Sequence, residues 1–123
     1  MPILTDRKRA VGMGSAKHGT EHHWHMMVSS AALCGLIPLF IFTFGSVLGQ
    51  PYEQVIAYYQ RPFPAIVAVM TILAGFVHFR GGVQTLIEDY VHGTRRKVLI
   101  IAMICLSYAA AAIGVFAVAR IAF

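Results

Sequence analysis

Residues 62–90 read PFPAIVAVMTILAGFVHFRGGVQTLIEDY, from Pro62 to Tyr90. Pro62 and Pro64 suit the first turn of a helix, where a missing N–H costs nothing. Phe63 to Phe79 carries no charge. That run is short for a bilayer span, which needs about 20 apolar residues. The helical pattern continues through Arg80 to Tyr90, so the whole stretch is expected to be one membrane helix. Two further apolar runs flank it. Met26–Leu48 lies in an interval without charge between Glu21 and Glu53, and Val98–Ala119 is bounded by Lys97 and Arg120. The expected fold is therefore an all-α integral membrane protein with three transmembrane helices in one domain, 1–123. The spans are expected at about 24–49, 63–90 and 97–120, after an N-terminal segment 1–23.

Composition agrees. Of the 123 residues 58% are hydrophobic and only 12% charged, against about 25% charged in a soluble domain. The net charge of +5 is unevenly placed. Arg7, Lys8, Arg9 and Lys17 precede the first run, and Arg95, Arg96 and Lys97 separate the second from the third. The first loop has only Arg61 and the C-terminal end only Arg120. By the positive-inside rule this predicts a cytoplasmic (or matrix) N-terminus and second loop, with the C-terminus opposite. The basic clusters read as topology signals and contacts to anionic membrane lipid. No soluble fold is left to present them to nucleic acid. The first apolar run is too long for a signal-peptide core. Trp24 stands where an interfacial anchor is expected, and Gly49-Gln50-Pro51 closes the first span. Pro38 lies inside that span, and Glu53–Arg61 forms a short amphipathic connection. Cys34 and Cys105 fall inside apolar runs and read as inert packing residues.

Ionisable residues within a span are costly and point to function. The second span holds His78, Arg80, Glu88 and Asp89. At about 100° per residue, His78, Gly82, Thr85 and Asp89 fall on one narrow stripe, with Gly75 and Gly81 beside it. Such small residues admit either a neighbouring helix or a flat macrocycle next to the imidazole. His78 accordingly reads as a haem ligand or as a hydrogen-bonding packing residue. Any bis-histidine haem would need its second ligand from another subunit, because this chain offers one well-placed intramembrane histidine. Tyr90 lies about 18 Å along the axis from His78. It reads as an aromatic-belt residue or as a hydroxyl donor to a quinone carbonyl, with Asp89 tuning its surroundings. Arg80 is costly near mid-helix unless it snorkels or pairs, and a haem propionate or a lipid phosphate would suit it as an anion.

The run from His78 to Gly93, HFRGGVQTLIEDYVHG, resembles the signature of the small membrane-anchor subunit of succinate dehydrogenase, respiratory complex II. That family has a histidine, a glycine four residues on, and an Asp-Tyr pair eleven and twelve residues on. His78, Gly82, Asp89 and Tyr90 match it. In the first helix, Gly35-Leu36-Ile37-Pro38 after Val28-Ser29 is a fainter echo. The opening Leu4–Arg9 and Glu21–Trp24 look like alphaproteobacterial members. The resemblance implies that His78 is one axial ligand of haem b, the other coming from the cytochrome b anchor subunit in a shared helical bundle. It implies that Tyr90 and Asp89 serve ubiquinone, with Arg80, Gly82 and Gly75 in the haem environment. It further implies flavoprotein and iron–sulfur subunits that carry FAD and the clusters. Electrons from succinate would reach ubiquinone through them, linking the tricarboxylic acid cycle to the respiratory chain. The location implied is the bacterial inner membrane rather than the mitochondrial one. Where some bacterial members place an Asp and an Arg beside an N-terminal histidine, this chain has His22-His23-Trp24-His25. His22 and His23 cannot share a helix face, so an interfacial role is expected rather than a metal site. Two readings of other classes stand beside this one. A small proton-coupled transporter would use His78 and Arg80, though its usual first-span carboxylate is missing. A cofactor-free structural anchor would use His78 only for packing.

Overall fold

The computed structural model describes residues 5–12 and 19–123. All regular structure in them is helical: α1 (Asp6–Val11), α2 (Glu21–Gly45), α3 (Tyr52–Tyr59), α4 (Pro62–Tyr90) and α5 (Thr94–Ala122). Three of these, α2, α4 and α5, are long and apolar enough to cross a membrane. The 29 residues of α4 span about 43 Å. This exceeds the roughly 30 Å hydrocarbon core, so one end projects into the interface.

Local chemistry fixes the ends. Arg61 is extended and Pro62 opens α4, as a residue without an N–H suits a first turn. At the other end Val91 turns extended. Gly93 then takes φ 71°, a conformation that favours glycine, immediately before Thr94 starts α5. Helix α2 begins at Glu21, ahead of Trp24, and stops at Gly45, earlier than the apolar run does. Past that point the chain tightens into three-residue turns, Val47 N–H to Phe44 C=O and Leu48 N–H to Gly45 C=O, and reverses at Gly49 with φ 79°. Residues 46–49 are as apolar as a helix end, so hydropathy alone does not reveal the turn. Pro38 lies within α2.

Helix α4 is the centre of the bundle. It packs against α2 on one side and α5 on the other, while no Cα of α2 comes within 8 Å of α5. The short α3 touches α4 and α5. It closes the end opposite Tyr90 with a cluster of Val47, Tyr59 and Ala68, backed by Phe40, Val55, Tyr58, Val118 and Ile121. Tyr58 and Tyr59 meet edge to face at 5.6 Å. Burial, and then the neighbouring Tyr58, pushes the Tyr59 phenol above its ordinary value of 10.

Candidate functional site

Helices α2 and α4 run antiparallel, and three contacts between them repeat at one register. His22 Nε2 lies 3.0 Å from Thr85 Oγ1. One turn deeper, Met26 rests on Gly81. Deeper again, Ser29 Oγ lies 3.0 Å from His78 Nδ1. Gly81 is buried, and a Cβ there would clash with Met26 Sδ. With no side chain at Gly81, the Met26 thioether fills the space between the two imidazole–hydroxyl contacts. Both hydroxyls also donate within their own helices, Thr85 to the Gly81 carbonyl at 3.1 Å and Ser29 to the Met26 carbonyl at 3.0 Å.

His78 is half-buried at the edge of this seam. Thr85 of the same stripe is taken up by His22, but the glycines beside the imidazole leave space. A Cβ at Gly75 would meet nothing within 4 Å, and one at Gly82 only Met26 Cε at 3.9 Å. The tight glycine is therefore Gly81, while Gly75 and Gly82 leave free surface beside the imidazole. Further along, Asp89 is exposed and Tyr90 is 78% exposed as the last residue of α4. Neither side chain has a hydrogen-bond partner among the described residues. Its neighbour Glu88 does: it accepts from Gln84 Nε2 at 3.1 Å and pairs with Arg96 at 3.6 Å. The carboxylates thus divide, Glu88 tying α4 to α5 and Asp89 standing free beside Tyr90.

Arg80 is two residues past His78, so it leaves α4 about 200° away. It turns to α5, where Nη1 donates to the Tyr108 hydroxyl and the guanidinium carbon lies 5.7 Å from the ring centroid. Its Nε is buried with no partner among the described residues. Beside it is a cavity of about 300 Å³ whose polar lining comes from His22, His25, Arg80, Ser107 and Tyr108. Arg80 and His78 therefore serve opposite sides of one helix. Among the described residues no three His, Cys, Asp or Glu side chains converge to hold a metal ion.

Sequence reasoning singled out His78, Arg80, Gly75, Gly82, Asp89 and Tyr90, but not the partners Ser29 and Tyr108. Each is a polar residue inside an apolar run, a signal for pairing across helices. Which group it meets depends on helix register, which no local pattern encodes.

Comparison with known proteins gives a consistent result. The profile of the family described as succinate dehydrogenase/fumarate reductase transmembrane subunit matches residues 2–116. The chain is 43% identical over 120 residues to the succinate dehydrogenase hydrophobic membrane anchor subunit of Paracoccus denitrificans, covering 98% of this chain and 93% of that one. It is 30% identical over 91 residues to the succinate dehydrogenase membrane anchor subunit of Reclinomonas americana, covering 72% and 76%. No solved structure matches. Three membrane-length helices and a match along nearly the whole chain establish that it belongs to the succinate dehydrogenase/fumarate reductase transmembrane subunit family.

Proposed function

We propose that this membrane anchor contributes His78 as one axial ligand of haem b and Tyr90 as a hydrogen-bond donor to ubiquinone. The observation that carries this reading is the open face of α4. A tethered imidazole stands beside two glycines that leave surface free, and Asp89-Tyr90 ends the same helix about 18 Å further on. The donor set fits a haem: His78 is held through one ring nitrogen, which leaves the other for iron, and Gly75 and Gly82 leave space beside it. When bound, haem b would take up and return single electrons. Its second ligand would come from the cytochrome b subunit, since this chain offers one such imidazole.

The chain's own residues have distinct tasks. His78 fixes the position of the group through α4. Tyr90 projects from the end of α4, where its hydroxyl can donate to a quinone carbonyl and stabilise the negative charge that develops on reduction. Asp89, free of intrachain partners, supports that pocket. Arg80 faces the opposite side of α4, which favours a lipid phosphate as its anion over a haem propionate. Flavoprotein and iron–sulfur subunits bearing FAD and the clusters would deliver electrons from succinate at the Tyr90 end, and this chain would carry out no chemistry on succinate. The seven basic residues ahead of α2 and at the start of α5, against Arg61 and Arg120 at the opposite side, support a cytoplasmic N-terminus in a bacterial inner membrane.

The test for the quinone role is Tyr90→Phe in the assembled complex. Ubiquinone reduction by succinate should fall about tenfold or more, as expected for loss of a donor to developing charge. Succinate oxidation by an artificial dye should persist. Equal loss of both activities would mean an assembly defect and would remove Tyr90 from the quinone site.

A further inference from the structure

Ser29 sits in α2, 49 positions from His78 in sequence, yet its hydroxyl lies 3.0 Å from His78 Nδ1. It is only 7% exposed, so no solvent competes for the contact. A serine hydroxyl has one proton to give. Here Oγ donates to the Met26 carbonyl of its own helix at 3.0 Å. What remains to face the imidazole is a lone pair, and a lone pair accepts. A hydroxyl that gives its proton to Met26 accepts from the imidazole, which goes with a His78 proton on Nδ1.

We infer that Ser29 is a positioning residue that fixes the tautomer and ring orientation of His78, placing the free lone pair on Nε2 for iron. This rests on the proposal that His78 ligates haem. Partners of this kind hold the ring and raise its basicity, and their removal typically weakens metal binding about 10–100-fold. A more basic imidazole favours ferric over ferrous iron, so the hydrogen bond lowers the haem potential. Gly81 supports this geometry: it leaves room for the Met26 thioether one turn of α2 before Ser29.

The seam contains its own control. His22 and Thr85 make a second imidazole–hydroxyl contact of the same length near the mouth of the seam. Breaking it loosens α2 against α4 without touching His78.

The test uses the membrane-bound complex, with haem content, electron paramagnetic resonance of the oxidised haem and redox titration as readouts. Ser29→Thr keeps the hydroxyl and Ser29→Val has the same shape without it. The valine variant should lose haem about tenfold more readily on detergent washing. It should also show a shifted low-spin ferric signal and a potential raised toward that of about a tenfold change in the ferric/ferrous equilibrium, about 59 mV. The threonine variant and His22→Ala should match the wild type. Ser29→Val with wild-type retention, signal and potential would overturn the role of Ser29, provided His78→Ala removes the haem. The same shift in His22→Ala would also overturn it, by showing a general loosening of the seam. Haem that survives His78→Ala would instead overturn the ligation on which this inference rests.

Discussion

Arg80 shows how a single residue can be placed in a membrane at tolerable cost. A charge in the hydrocarbon region must pair, snorkel or reach water. Arg80 does part of this through Tyr108, which accepts from Nη1 and presents its ring to the guanidinium. Tyr108→Phe keeps the ring and removes the acceptor. It should destabilise the folded anchor by about 0.5–1.5 kcal/mol, the net worth of one hydrogen bond. A lowered melting temperature of the detergent-solubilised complex would show it, with the haem spectrum unchanged because Tyr108 lies across α4 from His78. That His78, Gly82, Thr85 and Asp89 share one face of α4 was legible from spacing along one helix, since period 3.6 fixes a stripe without knowledge of the rest. Ser29 and Tyr108 were not, because each acquires its meaning from a residue on another helix. The division between Glu88 and Asp89 was likewise invisible: only the turn at Gly93 brings Arg96 back to Glu88.

At the scale of elements, the seam between α2 and α4 depends on one glycine. Sequence reading put Gly82 on the stripe of His78, with Gly75 and Gly81 beside it. Packing separates them, for a Cβ clashes at Gly81 and meets open space or ordinary contact at the other two. Gly81→Ala should be tolerated, because the Met26 thioether is flexible and can swing away. Gly81→Leu cannot be absorbed in that way. It should part the helices, break both the His22–Thr85 and Ser29–His78 contacts, and lower haem content severalfold. Gly82→Ala should leave the seam intact, so any loss of haem there reports crowding at the open face itself. Haem content per flavin across the three variants checks this ordering. The lengths of the helices were legible from hydropathy to within a few residues. The end of α2 at Gly45 was not, because Val47 and Leu48 carry the apolar run on through the turn that follows.

For the whole molecule, the surface is the dominant fact. Among the described residues no side chain is less than 2% exposed, and Phe42, Leu106, Ile113 and Phe116 are each about two-thirds exposed or more. A soluble monomer does not carry so much contiguous apolar surface. Lipid and neighbouring subunits must cover it. Expressed without the other subunits, the chain should therefore fail to accumulate in membranes, as an immunoblot would reveal. The charge asymmetry makes a separate prediction about orientation. A reporter active only outside the cytoplasm should work when fused after Phe123 and fail when fused after Gly93; the reverse pattern would invert the topology. The central claim is that His78, on the open face of α4, binds haem iron. It is tested most directly by the reduced-minus-oxidised absorption spectrum of the purified complex, wild type against His78→Ala. The account predicts a b-type band in the wild type that is lost or strongly diminished in the variant while the flavoprotein remains present. A wild-type complex without that band, or a band unchanged in His78→Ala, would contradict it.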